Sequence, residues 1–257
     1  MNKFTLLLLC VLVSPLGFTQ ERTDWSVFFD RLSAKGTIAV VDAREQRDVV
    51  WFYNQERANT RFSPASTFKI PHTLMALDAG LIDNEFQIFK WDGVHRSFSA
   101  HNQDQDLFSA MRNSAVWVYE QLAAELGKDK AAKYLKQLNY GNANPTFERG
   151  VYWIDGKLEI SAYEQISFLQ RLYKNELPFL LKHQQLVKKL IQVETEQDYT
   201  IFGKTGWDGQ IGWWVGWIER ANGPVFFALN IDTPNRQDDL VKRQQIVKDI
   251  MKSIGVI

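Results

Sequence analysis

Strand-like and helix-like patterns are segregated along this chain, and that segregation restricts its fold more than any other feature. Short runs rich in β-branched and aromatic residues occur at 36–43 and 48–54, then again at 199–206, 211–218 and 224–231. The polar stretch 44–47 suits a hairpin turn, and Asn222-Gly223 is a strong turn signal between the last two runs. Between the two groups, apolar residues recur at helical spacing over 106–126, 128–138, 161–173 and 184–192. Gly127 ends the first of these helices, and polar residues near Asp129 start the next. A last helix is predicted over 236–253. The simplest arrangement is α/β: one antiparallel sheet built from both chain ends and flanked by helices, with an all-helical domain inserted. The expected division assigns 20–65 and 197–257 to the sheet domain and 66–196 to the helical one.

The stretch Arg61-Phe-Ser-Pro-Ala-Ser-Thr-Phe-Lys-Ile70 lies where the first strands give way to helix. It places Ser66 and Lys69 in Ser-x-x-Lys spacing. If a helix starts at or just before Ser66, both side chains share one face. Pro71 fits such a helix only in its first turn, where backbone N–H groups lack partners anyway. A lysine works as a base only if burial lowers its pKa from about 10.4. Phe62, Phe68 and Ile70 offer that apolar setting. By itself the tetrapeptide is a common chance pattern, and its weight comes from what accompanies it.

Three further signals accompany it: Ser114-Ala-Val116 within the helical part, Tyr140-Gly-Asn142 in a loop, and Lys204-Thr-Gly206 on a strand. Ser-x-x-Lys followed by Lys-Thr-Gly marks penicillin-recognising serine enzymes. With Lys90-Trp-Asp-Gly93, Tyr152-Trp-Ile-Asp-Gly156 and Trp213-Trp-Val-Gly-Trp217, the chain resembles the class D, oxacillinase-type serine β-lactamases over essentially its whole mature length. Ser-x-Val and Tyr-Gly-Asn separate that class from class A.

The resemblance implies roles. Ser66 would attack the β-lactam carbonyl and form an acyl-enzyme. Lys69 would carry a carboxylate added by carbon dioxide or bicarbonate (N6-carboxylysine) and act as general base. Trp153 would donate its indole N–H to that group, and Val116 and Ile154 would keep its surroundings apolar. Ser114 would relay a proton to the leaving nitrogen. Backbone N–H groups of Ser66 and Trp207 would form the oxyanion hole. Lys204, Thr205, Gly206 and Arg243 would hold the substrate carboxylate. Without the resemblance, Trp153 reads as a core tryptophan and Arg243 as a solvated arginine on the last helix, with Arg236 as a rival. Tyr140 and Asn142 read as loop-shaping residues, and Phe98 and His101 as pocket walls.

Other classes are disfavoured. Acidic and basic residues balance at 30 each, with no basic tail, so neither nucleic acid nor an anionic membrane surface is an expected partner. The four histidines lack metal spacing, and no metal or cofactor beyond carbon dioxide is expected. A β-lactam sensor, which stops at the acyl-enzyme, typically has a polar residue in place of Val116. A D-Ala-D-Ala peptidase usually has Ser-x-Asn there. The first 19 residues read as a secretory signal cleaved near Thr19 or Gln20, which implies a periplasmic protein without a membrane anchor. The single cysteine, Cys10, falls inside that signal, so the mature chain is expected to have no disulfide. The family admits monomers and homodimers.

Overall fold

The computed structural model describes residues 19–46 and 48–257; the predicted signal segment lies almost wholly outside them. A seven-stranded sheet runs through the centre in the order β1-β3-β2-β7-β6-β5-β4. Its strands are β1 (Thr19–Glu21), β2 (Gly36–Asp42), β3 (Val49–Tyr53), β4 (Gln192–Thr195), β5 (Thr200–Trp207), β6 (Ile211–Arg220) and β7 (Gly223–Asp232). The helices are α1 (Ser26–Asp30), α2 (Gln55–Asn59), α3 (Lys69–Asp78), α4 (Leu107–Arg112), α5 (Val116–Leu126), α6 (Lys128–Leu138), α7 (Ala162–Tyr173), α8 (Leu181–Leu190) and α9 (Leu240–Ser253).

The central strands β2, β6 and β7 are buried on both faces, which explains why they read as nearly continuous apolar runs. On β7, Phe226 and Ala228 enter one core while Val225, Phe227, Leu229 and Ile231 enter the other. On β6, Trp213, Val215 and Trp217 join the first core and Trp214 and Ile218 the second. The first core is shared with α3, α5 and α7, the second with α1 and α9. In α9, Ile246, Val247, Ile250 and Met251 are fully buried, each contributing about 1.5–3 kcal/mol by area.

Several expectations need correction. The sheet is mixed, because the short β1 runs parallel to β3 while the remaining pairs are antiparallel. Strands β1 and β4 escape the sequence pattern because they are short and mostly exposed. The helix expected over 106–126 is broken at Asn113-Ser114-Ala115, where Ser114 adopts φ +56°. An apolar periodicity that continues across such a break hides it. The segment expected to open as an α-helix at Ser66 is instead a 3₁₀ turn, Ala65–Phe68, that feeds α3 at Lys69. Pro71 is then the third residue of α3, still within its first turn. The last helix likewise opens as 3₁₀ over Arg236–Asp239. Among the described residues, no helix is long and apolar enough to cross a membrane.

Candidate active site

Ser66 sits in a tight turn that the rest of the molecule holds in place. Ala65, just before it, adopts φ +46°, an unfavourable conformation for a residue with a Cβ. Strain of this kind persists only where surrounding contacts impose it. Here Thr67 N–H and Oγ1 both donate to Pro64 O, at 3.1 and 2.7 Å. Gln165 Nε2 on α7 donates to Thr67 Oγ1 at 2.9 Å, and Trp213 Nε1 on β6 donates to Ser63 O at 2.8 Å. Strand β5 passes close beside the turn. A Cβ added at Gly206 would lie 2.9 Å from Pro64 O and 3.2 Å from Thr67 N. Only glycine permits that approach without displacement.

Lys69 follows on α3 and is fully buried. Its Nζ donates to Ser66 Oγ at 3.2 Å and lies 4.8 Å from the centroid of the Tyr119 ring. Burial first, and the neighbouring Lys204 charge second, push its pKa well below the usual lysine value. Removing an ammonium from water without a carboxylate partner favours the neutral amine. An uncharged amine in that position can take the hydroxyl proton across the same contact.

Trp153 comes from an irregular turn at 152–155 rather than from a regular element. Ser63 Oγ donates to Trp153 O at 2.9 Å, tying this turn to the segment that carries Ser66. The indole stacks on Phe68, with ring centroids 5.7 Å apart at 27°. It is 1% exposed, and its Nε1 has no hydrogen-bond partner among the described residues. A buried N–H without an acceptor costs free energy, about 1–3 kcal/mol. An anionic oxygen on Lys69 would provide the acceptor, so these residues fit a carboxylated lysine.

The third group lies on β5. Lys204 Nζ donates to Ser114 Oγ, across the break between α4 and α5. The positive φ of Ser114 is what turns its hydroxyl out of the helical run and towards the sheet. Lys204 is 5% exposed; burial, with Arg243 as the lesser cause, lowers its pKa to about 7. Arg243 on α9 reaches under the same strand. Its Nη1 donates to Gly206 O and its Nε to Leu240 O, both at 2.7 Å. Burial lowers its pKa to about 10, still cationic at neutral pH. Arg236, the rival from sequence, lies over the Trp207 ring at 5.7 Å instead. Trp207 Nε1 is held by Thr233 Oγ1 at 3.0 Å.

These elements enclose a cleft of about 250 Å³ lined by Ser66, Ser114, Val116, Thr205, Gly206, Trp207 and Arg243. Phe98 and His101, read from the sequence as pocket walls, line it too, and so does Ile154. Arg112, Asn113 and Leu240 also line it and carried no signal in the sequence. The lining includes Arg112 and Arg243 and no carboxylate, which suits an anionic ligand. His101 is fixed beside it: its Nε2 pairs with Asn113 O at 2.8 Å, and its carbonyl accepts from Trp117 Nε1 at 3.0 Å. Tyr140 and Asn142 lie outside the cleft lining. Tyr140 packs against Phe68 and Phe168, and Asn142 Nδ2 donates to Lys157 O at 2.7 Å. Among the described residues, no group of three or more His, Cys, Asp or Glu could hold a metal ion.

Residues 34–252 match the family model of the penicillin binding protein transpeptidase domain. The chain is 61% identical over 238 residues to the β-lactamase OXA-3 of Pseudomonas aeruginosa, covering 93% of this chain and 86% of that one. It is 57% identical to β-lactamase OXA-20 of the same organism, covering 98% and 96%. Among solved structures it is similar to FUS-1 (OXA-85), a class D β-lactamase from Fusobacterium nucleatum subsp. polymorphum. That similarity has a TM-score of 0.88 at 38% identity and covers 93% of this chain and 100% of the other.

Proposed function

The chain belongs to the class D serine β-lactamases, and from that premise we propose that it opens the β-lactam ring of penicillin-type antibiotics through an acyl-enzyme on Ser66, giving resistance. The observation that supports this route best is the pairing of Ser66 Oγ with a fully buried Lys69 Nζ at 3.2 Å. Ser66 attacks the lactam carbonyl as its proton passes towards Lys69. The developing oxyanion faces the backbone N–H groups of Ser66 and Trp207, fixed donors in a site where charge is poorly screened. The C–N bond then breaks, and the nitrogen needs a proton. Ser114 supplies it through its hydroxyl, with Lys204 donating to Ser114 Oγ from behind. The substrate carboxylate is held by Thr205, Lys204 and Arg243, whose guanidinium offers parallel donors. Gly206 lets that strand lie close against the Ser66 turn, and Val116 and Ile154 keep water from crowding Lys69.

Carboxylation of Lys69 supplies an anionic general base for acylation and for activating the deacylating water. The neutral amine that carbon dioxide requires is what burial of Lys69 favours, and Trp153 Nε1 is the donor that would orient the product. The enzyme is read as periplasmic after signal cleavage.

The test is a time course of penicillin hydrolysis with and without bicarbonate, combined with intact-mass analysis. Repeated turnovers that quicken with bicarbonate are expected, and Ser66→Ala should lower turnover by at least about 10³-fold. A single stoichiometric burst with a lasting adduct on Ser66 would instead identify a sensor or a cell-wall peptidase.

A further inference from the structure

His72 has no part in the chemistry above, yet it is placed against the centre of it. It lies three residues after Lys69 on α3 and is fully buried. Its ring centroid is 5.2 Å from Trp153, 5.5 Å from Tyr119 and 5.4 Å from Phe68. Lys69 Nζ approaches the same Tyr119 ring. Among the described residues, neither Nδ1 nor Nε2 of His72 has a hydrogen-bond partner. Burial, and secondarily the Lys69 charge, lower its pKa to about 3, so the imidazole is neutral and keeps one N–H donor. Buried polar groups in native proteins are almost always satisfied. Here two rings in contact, His72 and Trp153, each hold an unmatched N–H, and the unmodified Lys69 amine, already in contact with Ser66 Oγ, has at most one lone pair to offer the two of them.

We propose that His72 is a positioning residue that donates its ring N–H to the carboxylate carried by Lys69, forming with Trp153 a pair of donors that holds this group. The proposal rests on the reading of Lys69 as a carboxylated lysine. It gives the modification a second anchor on the same helix as the lysine itself. The rest of the His72 ring packs against aromatic neighbours, so a phenyl ring at this position would preserve shape while removing the donor.

The test titrates ¹³C-bicarbonate into the wild-type protein, His72→Asn, His72→Phe and Lys69→Ala, following the carbamate carbon by NMR. A signal in the wild type that is missing in Lys69→Ala establishes the modification; its absence from the wild type overturns the carboxylated-lysine reading itself. Given that signal, His72→Phe should half-saturate at about 10- to 100-fold more bicarbonate, the loss of one hydrogen bond to a charged group. His72→Asn, which retains an N–H, should recover most of that affinity. Equal half-saturation in His72→Phe and the wild type would overturn the proposal, as would an Asn variant no better than Phe. Should the variants not fold, ¹⁵N-histidine spectra of the wild type decide: the His72 N–H resonance must move as bicarbonate is added, and an unmoved resonance refutes the contact.

Discussion

Replacing Lys204 with methionine removes a charge that folding forces into the interior. In the native protein its pKa is about 7, mainly through burial, whereas the unfolded value is near 10.5. Below its native pKa the lysine is charged in both states, and the folded state bears the full desolvation penalty. That penalty is about 5 kcal/mol when the two pKa values are compared at about 1.4 kcal/mol per pH unit. Above about pH 7 the folded protein binds fewer protons than the unfolded chain, so rising pH stabilises it until the unfolded lysine also loses its proton. Between about pH 7 and about pH 9.5, integration gives a gain of about 3 kcal/mol in wild type that Lys204→Met lacks. The assay is urea unfolding of both proteins at the two pH values in bicarbonate-free buffer, so that Lys69 stays unmodified. Comparing the pair cancels the tyrosines and carboxylates they share. The stability of the wild type relative to the variant should therefore rise with pH by that amount. Parallel stabilities at both pH values would refute the claim that Lys204 is buried as an uncompensated cation. On the proposed role of Lys204, the same protonation should control binding. The kcat/KM of an anionic penicillin should fall as pH rises through about 7, because the uncharged amine attracts the substrate carboxylate far less.

Other perturbations separate packing from chemistry. Trp153→Phe removes the orphaned indole N–H but leaves a ring on Phe68. In bicarbonate-free buffer its thermal stability should stay within about 1 kcal/mol of wild type, because loss of an unsatisfied donor offsets lost packing. Its turnover should nevertheless fall by about 10- to 100-fold, the size of one charge-assisted hydrogen bond, and unchanged turnover would remove Trp153 from the site. Gly206→Ala drives a methyl group to 2.9 Å from Pro64 O, where backbone cannot easily yield. Urea unfolding should show about 1–3 kcal/mol of destabilisation, with hydrolysis impaired as β5 moves off Ser66; a variant with wild-type values for both would show the approach to be loose.

Much of this protein is set by local pattern. The buried strands announce themselves because a sheet covered on both faces demands apolar residues at successive positions, as 225–229 supply on β7. The pairing of Ser66 with Lys69 is equally local, since three residues of helical or 3₁₀ backbone bring both side chains to one side of the turn. The order of motifs then gives the family, and with it the reaction class.

What tertiary structure alone decided is which distant groups meet and in what state of charge. Ser114 and Lys204 are 90 residues apart, and their contact depends on a helix break that no apolar periodicity reveals. That Arg243 rather than Arg236 lines the cleft follows from α9 packing against β6 and β7, which brings the first to Gly206 O, while the second lies over Trp207. In sequence His72 is only one of four histidines without metal spacing, and its significance appears when Trp153 folds onto it from another part of the chain. The lowered pKa values of Lys69 and Lys204 belong to the same category. Spacing along the chain sets which atoms can be near each other locally, but desolvation is a property of everything packed around a group, and that exists only in the folded protein.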